Sequence, residues 1–160
     1  VYAGEGNDTV AASAGDDLID GGLGQDSLDG GTGDDILIGG LGNDLLIGGG
    51  GRDLMIGGFG SDSLMGNADD DILLGGYTIH DGVASALRQI LNVWTGSMSF
   101  QDRVANITNG WFSESAVHDD GQIDYLTGNN GADWFLANTQ GGVEDEILDL
   151  QSNDTATDVD

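Results

Sequence analysis

The sequence predicts an all-β solenoid of stacked nine-residue units, interrupted once by a small helical hairpin. Three observations predict it. Asp8, Asp17, Asp26, Asp35, Asp44, Asp53, Asp62 and Asp71 recur at nine-residue intervals without a slip. An apolar side chain follows each of them by two positions: Val10, Ile19, Leu28, Leu37, Leu46, Met55, Leu64 and Leu73. Between residues 78 and 121 the repeat is absent, and apolar residues take helical spacing instead. A short fixed period marks a repeat array, in which no unit buries its apolar face alone and stacking supplies the core.

Within each unit the residues have separable tasks. Gly stands two positions before each Asp, at Gly6, Gly15, Gly24, Gly33, Gly42, Gly51 and Gly60, with Asp69 the single exception. The middle units read GGLGQDSLD, GGTGDDILI, GGLGNDLLI, GGGGRDLMI and GGFGSDSLM. Glycine at the first, second and fourth positions lets the turn reach positive φ and leaves its carbonyl oxygens uncovered. In these units the second and fourth glycines are Gly22 and Gly24, Gly31 and Gly33, Gly40 and Gly42, Gly49 and Gly51, and Gly58 and Gly60. The three residues after each Asp are expected to form a short strand whose middle side chain points inward. A merely solvated acidic face has no reason to hold Gly and Leu in phase with Asp. The departures are Ala3 in the first unit, Ala12 and Ser13 in the second, and Asn67 and Asp69 in the eighth. Asn and Asp tolerate left-handed backbone better than most residues.

Charge narrows the function. Across 160 residues the formal net charge is −26, with 30 Gly, no Pro and no Cys. The only basic side chains are Arg52, Arg88 and Arg103, too few for a nucleic-acid footprint, and an anionic membrane surface repels the chain. The apolar runs are too short for membrane insertion. Such a composition is disordered unless something cancels its charge. Ordering nine residues for one buried side chain is more than apolar burial offsets. The donors on offer are all oxygens, mixing carboxylates with carbonyls, and about six to eight of them suit Ca²⁺. Mg²⁺ wants a tighter octahedron and sheds water reluctantly, and zinc prefers Cys or His, which the units lack. Calcium is therefore the expected cofactor, its binding coupled to folding.

The pattern G-G-x-G-x-D-x-U-x, carried by eight units over residues 3–74, resembles the repeats-in-toxin (RTX) calcium-binding nonapeptides of secreted bacterial proteins. The resemblance implies a parallel β-roll with two nonapeptides per turn and each ion held between the loops of one unit and the second unit after it. Mapped onto this chain, the pairs are Asp8/Asp26, Asp26/Asp44 and Asp44/Asp62 on one edge, and Asp17/Asp35, Asp35/Asp53 and Asp53/Asp71 on the other. The resemblance also implies type I secretion as an unfolded chain and folding in calcium-rich surroundings outside the cell or at its surface. The expected role is a structural or adhesive segment. The alternative is the carboxy-terminal secretion and folding domain of a hydrolase such as a protease or lipase. With no signal-peptide pattern at Val1 and an acidic ending from Thr155 to Asp160, the chain is expected to be part of a larger parent.

After Gly76 the organisation changes. Val83, Leu87, Ile90, Leu91 and Trp94 predict a first helix ended by Gly96. A second helix is expected from Ser99, with Asp102 in a capping-box position, presenting Phe100, Val104 and Ile107 and stopping at Gly110. A loop through Trp111 and Phe112 follows. The repeat then returns, with Asp124 followed by Leu126 and Asp133 by Phe135. If Gly75, Gly76 and Tyr77 open a ninth unit that Gln122, Ile123 and Asp124 close, the hairpin sits inside one loop. Asp62/Asp124 and Asp71/Asp133 then bring the six candidate sites to eight. The expected division is a roll over 1–77, a helical insertion over 78–121, and resumed rungs with a cap over 122–160. The alternative is a separate cap over 119–150. Glu144 to Leu150 is a terminal strand in either arrangement.

The outward faces differ. One sheet presents Ile36/Ile38, Leu54/Ile56, Ile72/Leu74 and Trp134/Leu136; the other presents Thr9/Ala11, Ser27/Asp29, Leu45/Ile47, Ser63/Met65 and Tyr125/Thr127. The first is too apolar to face water bare. It is expected to lie under the helices or to mediate self-association or a lattice contact between copies. Catalysis is not expected. His80, Asp81, Ser85 and His118 fall in no G-x-S-x-G or H-E-x-x-H pattern, so the histidines read as surface residues. Trp94, Trp111, Phe112 and Trp134 read as core rather than as a sugar-stacking face.

Overall fold

The structure, a computed structural model, describes residues 1–112, 116–138 and 144–159. Nine strands alternate between two sheets: β1 (Tyr2–Glu5), β2 (Thr9–Ala11), β3 (Leu18–Leu23), β4 (Ser27–Thr32), β5 (Ile36–Leu41), β6 (Leu45–Gly50), β7 (Leu54–Phe59), β8 (Ser63–Ala68) and β9 (Ile72–Leu74). All pair in parallel with the second strand along the chain, so Leu18, Ile36, Leu54 and Ile72 stand in one row. Two units thus make one turn of a parallel β-roll. The middle strands are longer than the sequence suggested. They run on through the glycine pair, because the ladder continues at Gly22 with Gly40 and at Leu23 with Leu41.

The inward side chains form one file between the sheets. Ile19, Leu28, Leu37, Leu46, Met55, Leu64, Leu73, Leu126 and Phe135 are all fully buried there. Where glycine is replaced, the turn keeps its handedness. Ser13, Asn67 and Asp69 hold φ of 86°, 79° and 71°.

The interruption is a helical hairpin closed at its base. β10 (Tyr77–Thr78) pairs antiparallel with β11 (Val117–His118). Helix α1 spans Ala84–Trp94 and buries Ala86, Leu87, Ile90, Leu91 and Trp94. Val83, expected inside its apolar stripe, is instead the exposed N-cap residue, since the turn with His80 places it before the first helical residue. Helix α2 spans Phe100–Gly110, and its N-cap Ser99 accepts the Asp102 N–H at 3.3 Å. Both helices lie on the apolar outer face. Ile36, Ile38, Leu54, Ile56, Ile72, Leu74, Trp134 and Leu136 join Leu87, Ile90, Trp94, Ile107 and Phe112 in a second core. Leu54 and Ile72 are fully buried there, so the expectation of self-association through this face is withdrawn.

Two of the three cations pin the hairpin in place. Arg103, 3 % exposed, donates to the Trp94 carbonyl at 2.8 Å and to Asp70 at 2.5 Å, with its guanidinium 4.5 Å from the Trp94 ring centroid. Arg52 lies 3.7 Å from the same Asp70 carboxylate oxygen.

Beyond the hairpin, β12 (Tyr125–Asn130) pairs in parallel with β8, and β13 (Trp134–Ala137) with β9. The terminal strand expected over Glu144–Leu150 is only β14 (Glu146–Ile147), beside β12. A strand the sequence did not announce, β15 (Thr155–Asp158), covers β13. Among the described residues, no helix is long and apolar enough to cross a membrane.

Candidate metal centre

The roll converts the nine-residue period into two files of carboxylates. Asp8, Asp26, Asp44, Asp62 and Asp124 follow one edge; Asp17, Asp35, Asp53, Asp71 and Asp133 follow the other. After the first member of each file, Asp8 and Asp17, each is held by the backbone of the turn before it. Asp26 Oδ1 accepts the Asp8 N–H at 2.8 Å, Asp44 Oδ1 the Asp26 N–H at 2.7 Å, and Asp62 Oδ1 the Asp44 N–H at 2.8 Å. The second file repeats this from Asp17 with Asp35 to Asp53 with Asp71. The pattern crosses the hairpin unbroken: Asp124 Oδ1 accepts the Asp62 N–H at 2.7 Å, and Asp133 Oδ1 the Asp71 N–H at 2.8 Å.

The other oxygen is different. Oδ2 of Asp8, Asp26, Asp35, Asp44, Asp53, Asp62, Asp71, Asp124 and Asp133 is buried and has no hydrogen-bond partner. One such orphan costs on the order of 1–3 kcal/mol, and more when the group is charged. A regular file of them is the donor pattern that a cation would satisfy. Asp17 is only half-buried and its Oδ2 is not among them.

The glycines frame the same spaces. A side chain on Gly21 would meet both Asp26 Oδ2 and, at 2.7 Å, the Gly39 carbonyl oxygen. On Gly30 it would meet Asp35 Oδ2 and the Gly48 oxygen, and on Gly48 Asp53 Oδ2 and the Gly66 oxygen. The second and fourth glycines stack by their carbonyls. Gly40 faces the Gly22 oxygen, Gly58 that of Gly40, Gly60 that of Gly42, Gly49 that of Gly31, and Gly51 that of Gly33. Gly42 shows why no other residue serves: its φ is 135°, and a Cβ would run into the Gly24 oxygen. Uncovered carbonyls beside unpartnered carboxylate oxygens make an all-oxygen donor set, which fits a hard cation such as Ca²⁺.

Electrostatics carry the same message. Burial, against the opposing N–H contact and with help from the neighbouring Asp, raises Asp35 and Asp44 to about 6 and Asp53 and Asp62 to about 7. Asp133 rises to about 7 and Asp124 to about 8, again chiefly through burial. Asp71 rises furthest, to about 10, from burial and then the Asp53 charge. Without cations these seven carboxyls resist ionisation.

The last turns end the pattern. Asp145 and Asp154 take the register of the next two units, receiving the Asp124 and Asp133 N–H groups at 3.0 and 3.1 Å. Their second oxygens, however, accept the Asn138 N–H at 2.9 Å and the Gln151 N–H at 2.6 Å. Asp149 accepts the Gly128 and Asn129 N–H groups, while the Gln151 and Asn153 side-chain amides donate to the Asn129 and Gly131 carbonyls. Here N–H donors occupy the oxygens left open elsewhere. The sequence did hold a signal: Asp145 and Asp154 are nine apart, with Ile147 and Ala156 two positions on. The wider gap after Asp133 hid it.

The expected non-sites resolve into structure. Asp81 accepts the Thr78 N–H and hydroxyl, and Ser85 is exposed on α1. His80 and His118 are half-buried rather than on the open surface, the first edge-on to Trp111 and the second beside Tyr77.

The model of the RTX calcium-binding nonapeptide repeat matches four stretches, residues 2–37, 29–64, 47–76 and 117–140. The fourth falls on the turns that resume after the hairpin. No curated protein and no solved structure matches the chain. With the family model covering more than half of its length, the chain belongs to the RTX calcium-binding nonapeptide repeats, and its roll is a calcium-binding module.

Proposed function

We propose that calcium is the structural core of this module and that the chain folds on binding it. The observation that carries this reading is the file of nine buried carboxylate oxygens without a partner. The ions lie between the pairs Asp8/Asp26, Asp26/Asp44, Asp44/Asp62 and Asp62/Asp124, and between Asp17/Asp35, Asp35/Asp53, Asp53/Asp71 and Asp71/Asp133. The carbonyls of Gly22, Gly24, Gly31, Gly33, Gly40, Gly42, Gly49, Gly51, Gly58 and Gly60 complete them. Eight divalent ions offset more than half of the formal charge of −26. Asp145 and Asp154 hold none of these eight, because backbone N–H groups already occupy both their oxygens.

Three units make up the chain in this reading: a roll over 1–77, a helical insertion over 78–121, and resumed rungs with their cap over 122–160. Extracellular calcium modules bind at roughly 10⁻⁴–10⁻³ M. The module therefore works outside the cell, as a rigid structural or adhesive segment of a secreted or surface protein. Calcium stoichiometry by isothermal titration calorimetry, together with order measured in chelator, tests it. About eight ions and an unfolded chelated state are expected. A roll that stays folded without ions contradicts it.

A further inference from the structure

The pairings above leave the last carboxylate of each file, Asp124 and Asp133, with an open Oδ2 on which no following pair draws. Apart from Asp17/Asp35, each pair draws on the open Oδ2 of its earlier member, so Asp124 Oδ2, at the end of its file beside the splice, has no assigned ion. Asp124 is fully buried, and this oxygen has no partner. It stands over Gly75, at 2.5 Å from where a Cβ would lie. The next residue, Gly76, is covered by the returning limb of the hairpin, with the His118 carbonyl oxygen and, at 3.0 Å, the Asp119 Cα against its own would-be Cβ. Outside the two files, Asp119 Oδ1 is the one buried carboxylate oxygen without a partner among the described residues.

The splice explains how a residue from outside the repeat came to stand here. In the regular turns the fourth-position N–H donates to a third-position carbonyl: Gly6 to Leu23, Gly24 to Leu41 and Gly42 to Phe59, at 2.7, 2.8 and 2.8 Å. Gly60 breaks the series and donates instead to Asp120 Oδ2 at 2.7 Å. A side chain from the limb thus already substitutes for loop backbone. Asp119 lies beside it, its Oδ2 accepting the Asn138 side-chain amide at 3.1 Å. Asp145, next in register, has both oxygens engaged by N–H groups.

Resting on the calcium-ladder reading, we propose a further Ca²⁺ site at the splice, one turn beyond the Asp62/Asp124 pair, with Asp124 Oδ2 and Asp119 Oδ1 as its anionic donors. Backbone carbonyls supply the rest, as they do along the roll. The ion ties the hairpin's returning limb to the rung it interrupts, so one binding event links the inserted helices to the roll.

The test is calcium stoichiometry at saturation for four chains: wild type, Asp119→Asn, Asp44→Asn and Asp29→Asn. Asn at 119 keeps an oxygen for the Asn138 amide, and Asp29 is an exposed outward control. Loss of one ion in Asp119→Asn, with no loss in Asp29→Asn, is the expected result. If Asp44→Asn loses ions and Asp119→Asn does not, this site is overturned while the ladder stands. If neither loses ions, the ladder itself fails and this site with it. Anomalous scattering from calcium in crystals of the wild-type chain decides without any variant. An ion about 2.3–2.6 Å from Asp119 Oδ1 is expected, and none there refutes the proposal.

Discussion

Replacing Asp53 by Asn removes one carboxylate shared by two sites, Asp35/Asp53 and Asp53/Asp71. The side chain is fully buried, its Oδ1 accepts the Asp35 N–H at 2.8 Å, and its Oδ2 has no partner. Asn keeps the first contact through its carbonyl oxygen and changes the charge at the second. Burial lifts the Asp53 carboxyl from 3.8 to about 7 in the ion-free fold, so the stability linked to its protonation is lost as pH rises through that range. At pH 8 the ionised group costs the ion-free roll on the order of 4 kcal/mol, which Asn abolishes. In calcium the balance reverses. An ion at ten times its dissociation constant stabilises the fold by about 1.4 kcal/mol, so losing two removes about 3 kcal/mol. The variant is therefore expected to be more ordered than wild type in chelator, to bind two fewer ions and to need more calcium for full order. Far-UV circular dichroism across a calcium titration reads the order, and calorimetry reads the count. An Asn variant that binds the wild-type number of ions refutes the reasoning.

The carboxyls with raised values, from Asp35 and Asp44 at about 6 to Asp71 at about 10, make a pH prediction with a definite sign. In chelator, acidifying from pH 8 to 5 protonates those at about 6 to 8, Asp71 being protonated already, and increases β-structure; in calcium the same change weakens ion binding. A chelated β signal that falls on acidification contradicts this. Leu54→Ala, at a fully buried site under the helices, costs about 2–5 kcal/mol in thermal unfolding at saturating calcium, whereas Leu41→Ala, 48 % exposed, stays within about 0.5 kcal/mol. Arg103→Met removes the buried partner of Asp70 and costs about 2–3 kcal/mol, discounted for the partial exposure of Asp70. Its readout is the same melt together with Trp94 fluorescence, and an unchanged melt counts against a pinning role.

Residues 3–74 were legible because one period fixes everything at once: strand register, inward side chain, turn glycine and carboxylate. The helices were legible from Leu87, Ile90, Leu91 and Trp94, and from the Ser99–Asp102 cap. Their docking followed from Leu54, Ile56, Ile72 and Leu74, whose apolar pairs required a cover. What stayed hidden depends on contacts between residues far apart in the chain. Arg103 reads as a surface cation on α2 until Asp70 and Trp94 are seen to enclose it. Asp119 and Asp120 carry no periodic mark, since their place in a loop exists only after the hairpin has folded back on Gly60 and Gly76. β15 was obscured by the acidic, threonine-rich composition of 155–158, which resembles a solvated tail. Its neighbour β13 supplies the pairing that makes it a strand.

The central claim is that ions, and not apolar burial, hold the roll closed. Its most direct test is a calcium titration from chelator followed by far-UV circular dichroism, with magnesium as the control. The account predicts a cooperative coil-to-β transition at roughly 0.1–1 mM Ca²⁺ and none in Mg²⁺ at the same concentrations. A chain already β-structured in chelator at pH 8 contradicts the account, and leaves the cores around Leu46 and Trp94 as the true source of stability.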